Sequence, residues 1–353
     1  MYRPQDTRLA TMKARTGSLI QRDVSLRPFN TFGVDASAAL FARVRSLEDL
    51  QQVLTDRRVV AAPLLVLGGG SNVLFTQDFD GCVLKIEIPG VHRDDDGARW
   101  LVRVGAGENW HAIVERLIDE NAPGLENMAL IPGSMGAAPI QNIGAYGVEL
   151  AERFHSLQAW DLGTQALQTL TADDCRFGYR DSVFKRETEL RLIINVTLAL
   201  PRQWVPVIGY ADVQNELLDR NMAQLRPRDV FDAVIAIRRR KLPDPVRVGN
   251  AGSFFKNPVI PRQQRSALIE RHPSLVSYDI GGGRYKLAAG WLIDACGLKG
   301  AVRGRAAVYE KHSLVVVNRG GATGAEILAL AREVQEAVRA RFGIELEPEP
   351  RII

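Results

Sequence analysis

Hydrophobic and polar positions alternate with two different periods over the first part of the chain. Residues 36–44 follow the two-residue period of a strand, and residues 47–54 follow the period of an amphipathic helix. A short apolar run at residues 63–67 predicts a buried strand, and it stops at a glycine turn, residues 68–72. The pattern therefore predicts a β-α-β unit that ends in glycine.

This turn does not match the dinucleotide-binding pattern of a Rossmann unit. That pattern requires a third glycine where this chain has Val73, with a helix directly afterwards. Residues 73–75 and 81–85 instead have the composition of further strand. We therefore exclude a Rossmann site, and likewise a P-loop, at this turn.

Helical and strand patterns alternate through the rest of the chain. The middle region, residues 87–242, favours an antiparallel or mixed sheet, and the last region favours an α+β domain. The predicted strands are residues 100–104, 157–161, 168–171, 190–200 and 314–318. The predicted helices are residues 109–121, 230–240, 262–271 and 325–342.

A basic run from Arg238 to Lys241 closes the helix predicted at residues 230–240. Cations in a last helical turn offset the helix dipole, so we interpret the arginines of this run as a C-terminal cap. The Leu-Pro-Asp-Pro sequence that follows ends the helix and predicts a domain boundary after residue 242.

Residues 127–148 contain no charged side chain but several glycines and prolines. The segment is too broken for a regular helix or strand and too uncharged for a solvated loop. Glycines let main-chain N–H groups approach an oxyanion, and Ser134, Gln141 and Asn142 can orient one without adding charge. We interpret the segment as a cradle for a large cofactor. A buried connection between two elements is the alternative.

Composition and charge limit the class of protein. The 353 residues, 46% of them hydrophobic, suffice for two or three globular domains. Basic and acidic residues are interleaved, so the net charge of +4 does not form a nucleic-acid-binding stripe. The three cysteines and five histidines lack metal-ligand spacing, which favours a reducing compartment and predicts no metal. With no signal-peptide pattern, we expect a cytoplasmic protein with a flexible extension at residues 1–20.

Two further motifs carry candidate chemistry. Arg180 lies among aromatic residues in Arg-Phe-Gly-Tyr-Arg-Asp-Ser and could grip a carboxylate, although surface pairing with Asp181 or Asp174 is the simpler interpretation. Ser253, in Gly-Asn-Ala-Gly-Ser-Phe-Phe-Lys-Asn-Pro, could donate a proton, although most such serines cap a turn. No nucleophile elbow accompanies it, which argues against acyl transfer.

The C-terminal sequence Leu-Glu-Pro-Glu-Pro-Arg places two carboxylates on one face of an extended chain. Pro348 enforces the extended geometry between Glu347 and Glu349. A strand added to a sheet edge is the structural interpretation, and it does not exclude catalysis.

Taken together, the motifs resemble those of the UDP-N-acetylenolpyruvoylglucosamine reductase (MurB) family. The resemblance runs in order from about Phe29 to Ile353 and rests on NTFGVDASA, LGGGSNVLF, the neutral segment, CRFGYRDSVFK, KLPDP, GNAGSFFKNP, KLAAGWLIDACGLKG and LEPEPR. It implies NADPH-dependent reduction of UDP-N-acetylglucosamine enolpyruvate through bound FAD, in peptidoglycan precursor synthesis. The Tyr210 motif resembles that of the longer subclass.

The resemblance also implies an architecture. We expect an α+β protein with an FAD-binding domain of the vanillyl-alcohol-oxidase (PCMH) type in two subdomains, followed by an α+β substrate-binding domain. The predicted ranges are 21–86 for subdomain 1, joined by 343–353, then 87–242 for subdomain 2 and 243–342 for the substrate domain. We expect a monomer that binds no nucleic acid and no membrane.

Residue by residue, the resemblance implies three groups of site residues. The catalytic residues are Arg180, Ser253 and Glu349, with the serine as proton donor. The substrate-side residues are Tyr210, Lys241, Asn257 and His312. The FAD-binding residues are Gly68, Gly69, Gly70, Ser71, Asn72, Ile131, Pro132, Gly133, Ser134, Gly136, Ala137, Gln141, Asn142, Gly144, Ala145 and Tyr146.

Three hypotheses follow. The first is the NADPH-dependent flavoenzyme reductase. The second, motivated by the neutral segment alone, is an oxidase or dehydrogenase of the same flavin fold that acts on a hydroxy acid or sugar. The third, motivated by a sequence pI near 9.0 and the arginine-rich helix end, is a non-enzymatic nucleotide or nucleic-acid binder.

Overall fold

The computed structural model describes residues 19–186 and 191–353. Nearly all of the N-terminal extension predicted at residues 1–20 therefore lies outside the described residues, as does Leu190, where the strand 190–200 was predicted to start.

The first unit is a mixed sheet covered by two short helices. Its strands are β1 Ile20–Ser25, β2 Ser37–Val44, β3 Leu64–Leu67, β4 Val73–Leu74 and β5 Phe79–Ile86, and its helices are α1 Leu47–Leu54 and α2 Arg57–Val60. Four of these strands form a sheet in the order β1-β2-β5-β3, in which β5 runs parallel to both of its neighbours. The side chain of Ser46 caps α1 by accepting a hydrogen bond from the N–H of Asp49.

The middle unit is built on a five-stranded antiparallel sheet. Its strands are β6 Val91–Asp95, β7 Arg99–Gly105, β8 Gly144–Ala145, β9 Val148–Glu149, β10 Phe154–Asp161, β11 Ala166–Thr171 and β12 Arg191–Pro201. Its helices are α3 Trp110–Asp119, α4 Ala172–Cys175, α5 Val183–Arg186, α6 Ala211–Glu216 and α7 Pro227–Lys241. The sheet order is β11-β10-β12-β7-β6, and the buried faces of α3 and α7 belong to the hydrophobic core that this unit shares with the first.

The last unit has its own core. Its strands are β13 Gly249–Ser253, β14 Val259–Pro261, β15 Ser277–Asp279, β16 Arg284–Leu287, β17 Val302–Arg303, β18 Ala306–Val308, β19 Val315–Asn318 and β20 Arg351–Ile352. Its helices are α8 Arg262–Arg271, α9 Ala289–Ala295 and α10 Gly324–Phe342. Antiparallel sheets in the orders β13-β19-β18-β17 and β14-β16-β15 pack with these helices.

The C-terminal segment connects the last unit to the first. Strand β20 pairs in parallel with β4, directly after the glycine turn. A few residues earlier, the N–H of Glu349 donates to the carbonyl of Phe254 at 2.8 Å, and the N–H of Lys256 donates to the carbonyl of Glu347 at 2.9 Å. The segment is therefore extended and hydrogen-bonded along both edges, which confirms its predicted strand-like role.

The α+β class is confirmed, and the predicted elements within the described residues are present. The helices α1 and α8 have the predicted bounds, and the predicted helix 109–121 shortens to α3 because Asn109 is its N-cap. Residues 127–148 form short 3-10 turns and two-residue strands instead of a regular element. None of the helices in the described part of the chain combines the length and apolar composition needed to cross a bilayer.

Candidate functional site

The glycine turn after β3 lies directly against the neutral segment 127–148. A Cβ atom on Gly69 would lie 2.7 Å from the Cα of Gly133, and one on Gly68 would lie 2.4 Å from Oγ of Ser134. A side chain at Gly69 would therefore force the two backbones apart, and one at Gly68 would displace the Ser134 hydroxyl. The close approach of the two loops thus depends on glycine at position 69.

A row of backbone N–H groups in the turn is available to a ligand. Among the described residues, no protein acceptor receives a hydrogen bond from the N–H groups of residues 68–72. Gly70 has a φ of 65°, the left-handed conformation typical of main-chain anion nests. The buried Oγ of Ser134, close to Gly68, also has no hydrogen-bond partner. These neutral donors fit a phosphate-bearing cofactor such as FAD.

Side chains around the turn hold it in place. The Oγ of Ser71 donates to the carbonyl of Pro132 at 3.1 Å, and Nδ2 of Asn72 donates to Oε1 of Gln141 at 2.8 Å. The Nζ of Lys85, on β5, donates to the carbonyl of Gly68 at 2.6 Å. Burial lowers the pKa of Lys85. The sequence analysis missed Lys85, although a lysine inside an apolar strand was the available signal.

Other predicted cofactor residues shape the wall of the cradle. Asn142 is buried, and its side chain is fully used within the protein: Nδ2 donates to Glu149 and to the carbonyl of Gly178, and Oδ1 accepts from the N–H of Ala151. If Asn142 contacts a cofactor, it therefore does so through its main-chain atoms. The wall of the cradle is held together mostly by backbone hydrogen bonds. It also contains Ile131, Gly136, Ala137 and Ala145.

Arg180 occupies a tight turn with an uncommon backbone conformation. Reciprocal hydrogen bonds between Gly178 and Asp181, of 2.9 and 3.2 Å, close the turn. The φ of Arg180 is 53°, which costs a residue with a side chain about 1–2 kcal/mol. Its guanidinium turns back onto the cradle, where Nη2 donates to the carbonyl of Gly144 at 2.8 Å.

The guanidinium of Arg180 meets the carboxylate of Glu349. Nε of Arg180 lies 3.6 Å from Oε1 of Glu349, and the two side chains are 21% and 12% exposed. Burial raises the pKa of Glu349, and the positive charges of Arg180, Lys185 and Lys256 partly offset that effect. The carboxyl is thus able to hold a proton at a higher pH than an exposed glutamate.

The alternative surface pairing of Arg180 is wrong. Asp181 pairs with Arg186 at 3.0 Å, and the side chain of Asp174 accepts hydrogen bonds from Thr171. Both carboxylates are therefore engaged locally, because they lie within a few residues of better-placed partners.

Ser253 lies on a strand whose continuation is hydrogen-bonded to the segment that carries Glu349. It is the last residue of β13 and pairs with Val315 of β19. The following residue, Phe254, accepts the backbone hydrogen bond of Glu349. The structure therefore sets Ser253 and Glu349 on adjacent hydrogen-bonded segments, and joins Arg180 to Glu349 through their side chains.

Three of the predicted substrate-side residues, Tyr210, Lys241 and His312, form a second group of side chains. The ring of Tyr210, which is half-exposed, is edge-to-face with Tyr146 at a centroid distance of 6.0 Å. Nζ of Lys241 pairs with Asp212 at 2.6 Å. Burial, followed by the positive charge of Lys241, lowers the pKa of His312. His312 is therefore a neutral hydrogen-bonding group beside a lysine.

Asn257 lies on the other side of the site, next to Tyr179. Its Oδ1 accepts the N–H of Ala289 at 2.9 Å, at the start of α9. Burial raises the pKa of Tyr179, and the positive charge of Arg180 acts in the opposite direction. Asn257 and Tyr179 line the same cavity.

The interpretation of the α7 arginines as a cap is wrong for Arg238. Its guanidinium is buried, Nη2 donates to the carbonyl of Leu130 at 3.3 Å, and Nε has no partner. Helical spacing was the missed signal, because position 238 follows buried Val234 and Phe231 by four and seven residues. Its unpaired donor is available to an anionic group.

Family comparisons agree with this geometry. The sequence profile of the FAD binding domain family matches residues 38–168, and that of the UDP-N-acetylenolpyruvoylglucosamine reductase C-terminal domain matches residues 244–353. Among individual proteins, the UDP-N-acetylenolpyruvoylglucosamine reductase of Ralstonia nicotianae is 52% identical over 95% of this chain and 100% of its own length. The protein of that name from Burkholderia mallei is 58% identical over 93% of this chain and 96% of its own.

A solved structure has the same overall fold. The crystal structure of UDP-N-acetylenolpyruvylglucosamine reductase from Thermus caldophilus superposes with a TM-score of 0.65 at 26% identity. The match covers 94% of this chain and 98% of that one, so the similarity extends across all three units.

Proposed function

The chain belongs to the UDP-N-acetylenolpyruvoylglucosamine reductase family, and from that membership we propose that it works with Arg180, Ser253 and Glu349 as its catalytic residues. The reaction reduces UDP-N-acetylglucosamine enolpyruvate to UDP-N-acetylmuramate with NADPH, in peptidoglycan precursor synthesis. The observation that carries the residue assignment is the contact of Arg180 with a buried Glu349 at the wall of the neutral cradle.

The glycine turn and the cradle are the residues that would hold FAD. The free N–H groups of residues 68–72 would take the anionic part of the cofactor, and Ser134 would add a hydroxyl. Bound FAD supplies the hydride, whereas the protein supplies position, charge and protons. The buried guanidinium of Arg238 is a further cation for negative charge within this cleft.

Arg180 is proposed to hold the carboxylate of the enolpyruvyl group. Hydride addition to the terminal carbon places negative charge on the neighbouring carbon, and the charge spreads into that carboxylate. A fixed guanidinium stabilises it, at about 3 kcal/mol for one well-placed donor. Because the hydrogen bond to Gly144 fixes the guanidinium beforehand, little reorganisation is needed.

Ser253 is proposed to deliver the proton that completes the reduction. A serine hydroxyl is a weak acid and needs a partner that can replace its proton. Glu349 is suited to that role because burial raises its pKa. The net change is one hydride and one proton added across the carbon–carbon double bond.

Tyr210, Lys241, Asn257 and His312 are proposed to bind the remainder of the substrate or NADPH. Lys241 is paired with Asp212 in the structure, so a phosphate would have to compete with that carboxylate. We also propose that the protein acts in the cytoplasm, in line with three cysteines that form no disulfide.

The visible spectrum of the purified protein tests the proposal. Under anaerobic conditions NADPH should bleach the flavin absorbance, and UDP-N-acetylglucosamine enolpyruvate should then restore it. Bleaching by a hydroxy acid or sugar without NADPH would instead indicate an oxidase or dehydrogenase. A colourless protein that binds DNA in a salt-dependent way would overturn the assignment.

A further inference from the structure

We propose that Tyr179 is a positioning residue that holds the guanidinium of Arg180 in place from the side of the last unit. The inference rests on the role of Arg180 proposed above. It starts from the turn between Gly178 and Asp181, whose two central residues are Tyr179 and Arg180.

The backbone of this turn does not by itself secure Arg180. The left-handed φ of 53° is unfavourable for a residue with a side chain, so surrounding contacts must maintain it. Two such contacts come from the cradle side, where Asn142 donates to the carbonyl of Gly178 and Ser182 donates to the carbonyl of Ile140 at 2.6 Å. Both act on the ends of the turn, and at its tip Nζ of Lys185 donates to the carbonyl of Arg180 at 3.2 Å.

The side chain of Tyr179 supports the tip. It lines one cavity with Asn257, whose Oδ1 accepts a hydrogen bond from the N–H of Ala289 at 2.9 Å. Its ring has the guanidinium of Arg180 at 5.5 Å and Nζ of Lys286 at 5.0 Å from the ring centroid. These distances are in the range of cation–π contacts.

The ring therefore contacts two cations that repel each other. Lys286 is half-buried, and burial together with the charge of Arg180 lowers its pKa. Without the aromatic ring both cations would lose this contact, while their mutual repulsion, which Glu149 partly offsets at Lys286, would remain. The guanidinium would then move away from Glu349, its partner at 3.6 Å. Tyr179 thus acts on the reaction through Arg180.

Transient kinetics of the FAD-bound enzyme test this inference. We expect Tyr179→Leu to slow flavin reoxidation by UDP-N-acetylglucosamine enolpyruvate by about 10- to 100-fold, as for a catalytic group displaced by about 1 Å. Flavin reduction by NADPH should change less than about 3-fold, because positioning of the substrate carboxylate does not enter that step. Tyr179→Phe, which keeps the ring and removes only the hydroxyl, should slow flavin reoxidation less than Tyr179→Leu does.

A double-mutant cycle with Arg180→Met distinguishes positioning from a general structural effect. If Tyr179 acts through Arg180, adding Tyr179→Leu to Arg180→Met costs no further rate in flavin reoxidation. The matched control is Tyr278→Phe, an exposed tyrosine on the neighbouring strand β15, which should behave as wild type. The unfolding midpoint and flavin content of each variant report on folding.

Several outcomes would overturn the inference. Wild-type reoxidation in Tyr179→Leu would do so, as would fully additive rate losses in the cycle, or equal losses in both half-reactions. If Arg180→Met itself leaves reoxidation unchanged, the proposed role of Arg180 is wrong. If Arg180→Met slows it and Tyr179→Leu does not, only the positioning role of Tyr179 is wrong.

Discussion

Arg180 and Glu349 lie with Nε and Oε1 3.6 Å apart, and neither side chain has more than about a fifth of its surface exposed. The contact joins a strained turn of the middle unit to the C-terminal segment. An opposite charge lowers the pKa of a carboxyl, yet burial is the larger effect and raises that of Glu349. The pair therefore combines a permanent cation with a carboxyl that can carry a proton.

Replacing Arg180 with lysine keeps the positive charge but removes the planar fork. We expect Arg180→Lys to lower kcat for the enolpyruvyl substrate by about 10²-fold, because a single ammonium cannot hold both a substrate carboxylate and the carbonyl of Gly144. Steady-state kinetics at a saturating NADPH concentration would measure this change in kcat. Unchanged kcat with only a raised KM would show that Arg180 binds substrate without stabilising the reaction's charge.

Ser253→Ala separates the two half-reactions. Flavin reduction by NADPH should remain nearly intact, whereas reoxidation by the enolpyruvyl nucleotide should slow by about 10³-fold or more, because the proton donor is missing. Anaerobic stopped-flow absorbance follows both steps. Ser277→Ala, on an exterior strand, is a suitable control. Equal slowing of both steps would contradict the proton-donor role.

The raised pKa of Glu349 predicts two trends with pH. A carboxyl whose folded pKa is raised binds its proton more tightly in the folded state. Its contribution to stability is therefore present below the ordinary pKa and is lost as pH rises through the raised value. If the protonated form is the proton source, kcat/KM falls over the same window.

Glu349→Gln should remove both trends. The measurements are kcat/KM and the thermal unfolding midpoint between about pH 5 and 8 for the wild type and the variant. An identical pH dependence in both proteins would assign the titration to another group.

The contact between the glycine turn and the neutral segment predicts a defect in cofactor retention. In Gly69→Ala the new Cβ would lie 2.7 Å from the backbone of Gly133, so the loops must separate and the N–H row must shift. We expect the purified variant to lose most of its flavin. Gly290→Ala is the matched control, because its Cβ would meet Leu314 at an ordinary 3.6 Å. Full flavin content in Gly69→Ala would refute this account of the turn.

Arg238→Met tests the unpaired buried guanidinium. Among the residues that the structure describes, a single hydrogen bond, to the carbonyl of Leu130, offsets the desolvation penalty of this arginine. Replacing it with an apolar side chain should raise the unfolding midpoint of the FAD-free protein by about 2 °C or more. Flavin or substrate affinity should fall in the same variant. A loss of stability without a loss of affinity would indicate a purely structural arginine.

The helices and strands were predicted well wherever the spacing of hydrophobic residues along the chain determines them. Helix α1 and the middle strands follow from local pattern, because burial of one face is what stabilises them. Residues 127–148 could be recognised as irregular from their glycines and prolines. Their cofactor role, however, became a specific expectation only through the family resemblance.

Long-range contacts could not be derived from local pattern. The pairing of Arg180 with Glu349, in place of its sequence neighbour Asp181, depends on how the C-terminal segment crosses the molecule. Arg238 was misjudged because three successive arginines suggest an exposed helix end, whereas helical geometry directs one of them inward. Lys85 was missed although a lysine inside an apolar strand was a visible signal, but its partner, the main-chain carbonyl of Gly68, could not be derived from local pattern.

The C-terminal segment has peptide groups bonded along both of its edges. Phe254 and Lys256 lie on one side, and Asn72 and β4 lie on the other. The spacing between Ser253 and Glu349 is thus dictated by amide geometry that every polypeptide shares. Side chains elsewhere along the segment can therefore change without moving the backbones that carry Ser253 and Glu349.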